Sequence, residues 1–198
     1  DESTFGTPVT PTRTFEYESE GIEDSFGRTE GEPLRRGTAF PRNDRFVPYY
    51  AGASGNVQLA VMSKGFGYFI KHMLGGVATT GPAETTVYTH TGSEATLLGD
   101  SFTMQMNRPF HPLGTDQPFT FAGGKITEWT LANSVEGNLM LDLNMDFASV
   151  ATATALATAA YPTSMDPLSW AGGTVTIGGS QVDLDEFALS VKNGNNVD

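Results

Sequence analysis

Carboxylates are the residues of this chain best suited to chemistry, and they fall into two groups. Asp142 and Asp146 lie four residues apart in an alternating stretch, and Asp183, Asp185 and Glu186 lie near the end of the chain. Paired carboxylates can act as the acid and base of a glycosidase. Positions i and i+4 of a strand point the same way but lie roughly 13 Å apart, which is too far for such a pair. The second group lacks the glycine and the ligand spacing of a calcium-binding EF-hand loop.

The histidines do not suggest a metal site either. His72, His90 and His111 fall on a predicted helix, a strand and a loop, without the spacing of metal ligands. His72 is expected to be a surface or packing residue. The chain has no GxSxG, HExxH or GKS/T motif, and the glycines of GFGYFIKHMLGG alone do not make a phosphate-binding loop. The chain has no cysteine, which excludes a disulfide framework and a cysteine zinc site. Because no catalytic or ligand-binding motif is found, we expect no enzyme activity, no metal and no cofactor.

The charge balance argues against a protein that grips nucleic acid. The 198 residues carry a net charge of −12 and the pI is near 4.5, whereas binding to phosphates needs a cationic surface. A surface past which DNA slides is compatible with this balance.

No apolar run is long enough to span a bilayer, and no signal-peptide pattern is present. The chain begins at Asp1 without a methionine, so a processed N-terminus and a fragment both stay open.

A strand must position Asp142 and Asp146. Apolar and polar residues alternate from Leu139 to Phe147, and a period of two over that length predicts a strand with one buried face. Abundant glycine, recurrent threonine and few helical patterns predict a mainly β domain. Strands are predicted over residues 15–20, 55–62, 85–91, 101–107, 118–122, 125–135 and 139–148, with a hairpin over 174–177 and 182–191. Residues 149–160 are expected to form a loop or a weak helix.

One helix is expected to flank the sheet. Its apolar residues follow the helical spacing i, i+3, i+4, i+7 and i+8, and they are Phe66, Phe69, Ile70, Met73 and Leu74. Ser63 is the predicted N-cap, and Gly75–Gly76 the predicted end of the helix.

Two registers are open to the hairpin that contains the alternating strand. A two-residue loop at 136–137 would mix apolar and polar residues on both faces. A three-residue loop at 136–138 pairs Val135 with Leu139 and leaves one face apolar throughout, so this register is expected. The apolar face and the helix together supply the predicted core, which consists of Trp129, Leu131, Leu139, Leu141, Leu143, Phe147, Phe66, Phe69 and Ile70.

The other face of this hairpin is predicted to be polar and acidic. It carries Glu128, Thr130, Asp142, Asn144 and Asp146. The expected register sets Glu128 opposite Asp146, and Ala132 opposite Asp142. Like charges directly opposite each other cost a few tenths to about 1 kcal/mol. Such a face is either an ordinary solvated sheet face or a surface that needs to be negative.

Two segments near the start of the chain lack a core pattern. Residues 1–14 are predicted to be an extended arm, residues 15–192 the folded domain, and residues 193–198 a C-terminal tail. Residues 21–55 are expected to form a long loop that is too apolar for a solvated linker. We expect this segment to reach a neighbouring subunit, with a merely solvated charge pattern as the alternative. The candidate inter-subunit residues are Arg35, Arg36, Arg42, Arg45, Phe46, Tyr49 and Tyr50.

Several stretches, taken in order, resemble one protein family. They are TFGTPVTPTR, EGEPLRRG, RNDRFVP, SGNVQLAVMSKGFGYFIKHMLGGVATT, PFTFAGGKITEWTLANSVEGNLMLDLNMDF, ATATALATAAYP and GGTVTIGG. Together they resemble the tail tube (major tail) proteins of long-tailed, siphovirus-type bacteriophages. The resemblance covers nearly the whole chain, and its most specific parts are SKGFGYFIKHMLGG and ATALATAAYP.

The resemblance implies a tail-tube-type β-sandwich with one flanking helix. It implies six-fold rings that stack into a hollow tube, with inner strands forming a ring-wide β-barrel through which genomic DNA passes without specific binding. Lumens of such tubes are typically acidic, so the polar face of the hairpin would line the bore and repel phosphate. The implied partners are further copies of the chain and the tape measure, tail tip and terminator proteins. The implied location is the virion tail, after assembly in the host bacterial cytoplasm.

Other arrangements and functions stay open. Proteins of this group are often longer, and DEFALSVKNGNNVD echoes FEYESEGIEDSFGR near the start. If a second, related unit begins where this chain ends, three copies of a duplicated protein would form a pseudo-six-fold ring in place of six copies. A carbohydrate-binding β-sandwich, with sugars stacked on Trp129 or Trp170, is one alternative function. A related tail component, such as a terminator or the tube of a contractile system, is another.

Overall fold

The part of the chain that the structure describes folds into antiparallel sheets with one α-helix, as the sequence predicts. A computed structural model describes residues 1–30, 46–82, 87–97, 99–110 and 115–194. The strands within these residues are β1 (Ser19–Glu20), β2 (Glu23–Glu30), β3 (Phe46–Ala60), β4 (Gly75–Thr80), β5 (Thr89–Glu94), β6 (Phe102–Phe110), β7 (Thr115–Ser134), β8 (Met140–Phe147), β9 (Ser149–Ala151), β10 (Val175–Ile177), β11 (Ser180–Val182) and β12 (Glu186–Lys192). Helix α1 spans Gly67–Leu74, and a short 3₁₀ turn spans Trp170–Gly172.

The largest sheet is open and has the strand order β1–β3–β8–β7–β12. Strand β2 continues beside β3 beyond the end of β1, and β6 and β9 pair with β7. The hairpins β4–β5 and β10–β11 form separate two-stranded sheets. Antiparallel sheets of this kind can turn one face to the core and the other to solvent.

Strand β7 is shared by two layers of the fold. Its first half pairs with β6 and β9, and its second half pairs with β8 and β12. At the bend, Gly123 has a φ of +69°. A Cβ added at Gly124 would lie 2.6 Å from the Phe147 ring and 2.8 Å from the Phe102 ring. The prediction of separate strands over 118–122 and 125–135 is therefore wrong, because the two glycines bend one continuous strand instead of ending it.

The core lies between these two layers. The Phe121 and Phe147 ring centroids are 5.1 Å apart, and those of Phe102 and Phe147 are 5.9 Å apart. The buried members of the predicted core are Trp129, Leu141, Leu143 and Phe147. The members that are partly buried and pack against the core are Leu131, Leu139, Phe66 and Phe69.

Helix α1 lies beside the β4–β5 hairpin. It ends at Gly75, whose N–H donates to the Lys71 carbonyl, as predicted. The predicted N-cap is wrong, because the helix begins directly after Phe66. Ser63 instead accepts a hydrogen bond from the Asp166 backbone N–H at 3.2 Å, so a contact distant in sequence takes the place of a cap. Ile70, the remaining predicted core residue, is half-buried.

Several strand boundaries differ from the predictions. The strand predicted over 15–20 is confined to β1, and the strand predicted over 55–62 is the end of the much longer β3. Of the strand predicted over 85–91, residues 85–86 lie outside the described residues, and β5 begins at Thr89. Strands β10 and β11 form the predicted hairpin through residues 178–179. Residues 186–192 leave this hairpin to pair with β7, because Phe187 and Val191 become half-buried there. Residues 149–160 begin with β9 and continue without a helix.

Residues 31–45 of the predicted loop 21–55 lie outside the described residues, and most of its described residues form a β-hairpin. Strands β2 and β3 pair from Glu23 opposite Ser54 to Glu30 opposite Phe46, with an irregularity after Gly27. Nearly all of the described β2 side chains are exposed. Because both faces of the hairpin meet solvent, the segment lacks the alternation from which a strand can be predicted.

The N-terminal arm has no regular secondary structure and is held against its own domain. Glu2 is buried, and its carboxylate accepts hydrogen bonds from the backbone N–H groups of Gly6 and Gly123, both at 3.0 Å. The hydroxyls of Ser101 and Thr103 donate to the same carboxylate at 2.7 Å. The arm therefore adds a buried polar anchor to the point where β7 bends.

Candidate functional site

The hairpin of β7 and β8 carries the predicted polar face, and its register differs from the prediction. Trp129 pairs with Leu143, and Leu131 pairs with Leu141. A three-residue loop would have paired Trp129 with Met145 and Leu131 with Leu143. The register is therefore shifted by two residues, and because side chains alternate with a period of two, each side chain keeps its predicted face.

A competing partner explains the shift. The Leu139 N–H donates to the Leu168 carbonyl at 2.7 Å, and Asn138 pairs with Ser169. Residues 138–139 are thus bound to residues 168–169 and do not pair with the end of β7. The Gly137 N–H closes the turn on the Ser134 carbonyl at 2.9 Å.

An irregularity between Ile126 and Glu128 decides which charges meet on the polar face. On its N-terminal side Lys125 lies opposite Asp146, and on its C-terminal side Glu128 lies opposite Asn144. The predicted pairing of Glu128 with Asp146 is wrong because the two-residue shift in register sets Glu128 opposite Asn144. An opposite-charge pair takes the place of the expected pair of carboxylates, which removes the predicted repulsion.

The polar face extends over five strands of the largest sheet. One row crosses all of them and consists of Ser19, Gln58, Asp142, Thr130 and Ser190. The hydroxyls of Thr130 and Ser190 are 2.8 Å apart. The predicted pairing of Ala132 with Asp142 is also wrong, because the shifted register sets Thr130 opposite Asp142.

A second row lies next to the first and consists of Asn56, Asn144, Glu128 and Lys192. The Lys192 Nζ is 3.3 Å from the Glu128 carboxylate, and this ion pair is largely exposed. The Asn56 amide donates to Asp142 at 3.5 Å, so it links the two rows. Together the rows enclose a shallow open groove of about 350 Å³.

The structure brings the five predicted face residues together on the open side of the sheet. Asn144 is exposed, and the other four are half-buried. Asn56, Gln58, Ser190 and Lys192 belong to the same face, and the sequence analysis did not include them. The positions of Asn56 and Gln58 could have been predicted from the stretch NVQL, because these polar residues alternate with Val57 and Leu59.

The face carries lysines as well as carboxylates. Two lysines of the described strands lie on it, Lys125 of β7 and Lys192 of β12. Five carboxylates from the described part of the chain lie on it, and they belong to Glu23, Glu128, Asp142, Asp146 and Glu186. The ammonium of Lys125 reaches the Leu97 carbonyl at 3.4 Å. The surface of one protomer is therefore a hydroxyl and amide face on which carboxylates outnumber lysines.

The β2–β3 hairpin forms a second candidate surface. Phe26, Val47 and Tyr49 are 64%, 63% and 72% exposed, which is unusual for apolar and aromatic side chains that lie close together on one hairpin. The predicted residues Arg35, Arg36, Arg42 and Arg45 lie outside the described residues, as do the side chains of Phe46 and Tyr50. Among the predicted inter-subunit residues, Tyr49 is the one whose side chain the structure describes.

The arm anchor also holds a buried histidine. His72 of α1 is 3% exposed, and its Nε2 lies 2.8 Å from the Asp1 carboxylate. Burial lowers the pKa of His72 to about 4, and the charge of Lys71 acts in the same direction, while Asp100 opposes them. His72 is therefore a neutral packing residue at pH 7, in ring contact with Phe102 at 4.9 Å.

A cavity of about 460 Å³ lies beneath the arm, and its walls come from the arm, from the core face and from residues 156–161. His72 and Asp1 are among its lining residues. Among the described residues, no cluster of three or more His, Asp or Glu side chains could hold a metal ion. In the same part of the chain, no helix is both long and apolar enough to cross a membrane.

The tryptophans do not offer a sugar-stacking platform. Trp129 is buried in the core. Trp170 is half-buried, and its ring lies 6.2 Å from that of Phe187. Neither of the two tryptophans on which the carbohydrate-binding alternative rests is therefore a fully exposed ring.

Comparison with known proteins gives one family. The family model described as phage tail tube protein matches residues 1–196. A search of curated proteins found no match. The family match covers nearly the entire chain, including both candidate surfaces.

Proposed function

This chain belongs to the phage tail tube protein family, and from that premise we propose that its copies form rings that stack into the hollow tail tube of a long-tailed phage. DNA passes through the tube during ejection. The chain is thus a structural component of the virion tail, and its role is mechanical and electrostatic. We further propose six copies per ring, with the tape measure, tail tip and terminator proteins as partners and assembly in the host cytoplasm.

The open sheet is the observation that carries this proposal. Its path ends at β12 on one side and at β1 and β2 on the other. Edge strands offer unpaired backbone groups to a further strand, and ring closure joins such edges productively. When β12 of one protomer meets the β1–β2 edge of the next, the sheets continue around the ring as a β-barrel, and the polar face lines its bore.

Electron microscopy of the purified, concentrated protein tests the assembly. We expect long hollow tubes with a regular axial repeat, and end-on views that show six subunits per ring. A protein that stays monomeric at high concentration, both alone and with the tail tip complex of its phage, would contradict the proposal. Single closed rings that do not stack would favour a terminator.

Reversal of charge on the polar face is expected to make the tube retain DNA. Each ring would repeat the carboxylates of Glu128, Asp142 and Asp146 around the bore, and this negative field keeps phosphate from adhering. In tubes of the double variant Glu128→Lys and Asp142→Lys, we expect DNA binding to rise roughly tenfold or more at low salt and to fall steeply as salt is added. Co-sedimentation of double-stranded DNA with assembled tubes measures the effect.

A matched variant separates the position of the charge from its amount. Asp183→Lys with Asp185→Lys changes the net charge equally at two exposed positions that lie outside the strands, between β11 and β12. These tubes are expected to bind DNA more weakly than the polar-face variant. Equal binding by the two variants would show that the polar face does not line the bore.

Removal of the exposed aromatic residues from the hairpin is expected to abolish tubes while sparing the monomer. Phe26→Ser with Tyr49→Ser should change the free energy of unfolding by less than about 1 kcal/mol, because both side chains are exposed in the monomer. Contacts with a neighbouring copy would be lost, so we expect monomers or isolated rings. Electron microscopy and urea denaturation give the two readouts. Tyr88→Ser removes an exposed tyrosine outside the hairpin and is the control; normal tubes in both variants would exclude the hairpin from assembly.

A further inference from the structure

The β2–β3 hairpin leaves the body through a narrow neck. Ile22 and Ala53 are buried in the core, and from Glu23 onward the described side chains of β2 are mostly exposed. At the neck the two chains touch closely: a Cβ added at Gly55 would lie 2.1 Å from the Gly21 carbonyl oxygen. Glycine at this position permits an approach that a side chain would block. Strand β3 runs through the neck from the hairpin into the sheet, whereas the other chain of the hairpin turns at residues 21–22 between β1 and β2.

Arg108 of β6 reaches this neck from the other layer. Its Nε donates to Glu20 Oε1 at 3.0 Å, and its Nη2 donates to Glu20 Oε2 at 2.8 Å. The same Nη2 also donates to the Ile22 carbonyl. The guanidinium thus binds both the last residue of β1 and the residue that precedes β2.

The rigid core fixes the plane of the guanidinium. Its central carbon lies 4.8 Å from the centroid of the Phe119 ring and 5.8 Å from that of the Phe121 ring. Phe121 is completely buried. Arginine presents its donors in a planar fork, so a fork that stacks on fixed rings dictates where the carboxylate must lie.

The Glu20 carboxylate also stabilises the turn between β1 and β2, where the hairpin begins. Glu20 Oε2 also accepts the Ile22 backbone N–H at 3.1 Å. Burial would raise the pKa of Glu20, but the hydrogen bonds from Arg108 and from the Ile22 backbone, together with the positive charge of Arg108, outweigh it and lower the pKa. The carboxylate is therefore ionised at neutral pH, and the fork is complete.

We propose that Arg108 is a positioning residue that sets the direction in which the β2–β3 hairpin projects towards a neighbouring copy. This inference rests on the proposed function for its biological meaning, because a defined hairpin direction matters when rings must stack in one way. The orientation of the hairpin relative to the sheet can be measured in the monomer, without assembly.

Distances between two spin labels test the orientation directly. The chain has no cysteine, so cysteines introduced as Val47→Cys on the hairpin and Asn144→Cys on β8 are the labelling sites, and both positions are exposed. With Arg108 present we expect a narrow distance distribution in the dilute monomer. In Arg108→Gln we expect roughly a doubling of its width, and in Arg108→Lys an intermediate width, because lysine keeps the charge without the fork. An unchanged distribution in Arg108→Gln would overturn the proposal.

Two further variants keep the test decisive. Glu20→Gln leaves Arg108 on its rings and removes the charged acceptor, so it should broaden the distribution even if Arg108→Gln does not fold. Arg13→Gln removes an exposed arginine of the arm, and the distribution should stay narrow. A narrow distribution in Glu20→Gln, or broadening in Arg13→Gln equal to that in Arg108→Gln, would each contradict the proposal.

Assembly supplies the second readout and separates the two hypotheses. If the proposed function is correct, Arg108→Gln tubes should have an irregular axial repeat or fail to extend, although the isolated sheet stays folded by circular dichroism. A parent chain that never forms tubes would refute the proposed function, and the label distances would still test Arg108. Regular tubes from Arg108→Gln, with unchanged distances, would refute the positioning role alone.

Discussion

Replacing Glu2 with alanine is expected to lower the free energy of unfolding by about 3–5 kcal/mol. The carboxylate is the shared acceptor for the Gly123 N–H, the Ser101 hydroxyl and the Thr103 hydroxyl. Alanine would leave the buried Gly123 N–H and Ser101 hydroxyl without this acceptor, and each unpaired buried donor costs about 1–3 kcal/mol. The arm would also detach from the point where β7 bends, so the core would lose part of its cover.

Urea denaturation followed by tryptophan fluorescence measures this loss of stability, and two further variants serve as comparisons. Glu16→Ala removes an exposed carboxylate beyond the arm and is expected to change stability by less than about 0.5 kcal/mol. Glu2→Gln keeps the shape and one acceptor oxygen but turns an amide donor towards the existing donors, so an intermediate loss is expected. If Glu2→Ala behaves like Glu16→Ala, the anchor does not contribute to stability as its geometry implies.

The second large effect is a loss of stability in mild acid that depends on His72. The pKa of His72 falls from 6.5 to about 4 on folding, so the folded state favours the neutral ring. Above pH 6.5 the ring is neutral in both states. As the pH falls from 6.5 to 4, His72 binds a proton in the unfolded chain but not in the folded chain. The free energy of unfolding therefore declines by about 3 kcal/mol in total. Below pH 4 both states are protonated, and this contribution stays constant.

The variant His72→Phe isolates this contribution. Phenylalanine preserves ring contact with Phe102 but does not titrate, so its stability should fall less steeply between pH 6.5 and 4.5. Other acidic groups, including Glu20 with its lowered pKa, contribute to both proteins and cancel in the comparison. Parallel slopes for the parent chain and the variant would mean that His72 titrates alike in the folded and unfolded states.

Faces were predictable from the sequence where local alternation determines them. The apolar positions of β8 alternate with polar ones, and that pattern alone assigns Leu141 and Leu143 to the core and Asp142 to the open face. The register was not predictable in the same way. It depends on Leu139 bonding to Leu168 and on an irregularity after Ile126, and neither feature has a local signature.

Long-range polar contacts account for most of what the sequence analysis missed. Arg108 and Glu20 lie 88 residues apart in the chain, and Glu2 and Gly123 lie 121 apart. No spacing rule links such residues. The β2–β3 hairpin was missed for a different reason, because strands that expose both faces have no period of burial to detect.

Strand β7 contributes one half of its length to each layer, and this connection makes the layers mechanically inseparable. In a sandwich of two independent sheets, a force that pulls the layers apart is resisted by side-chain contacts alone. Here the same force also acts along the covalent backbone through Gly123. Melting of either layer removes a strand from the other, so the domain should unfold in a single cooperative transition. Tension between the two layers would therefore be carried through peptide bonds as well as through side-chain contacts.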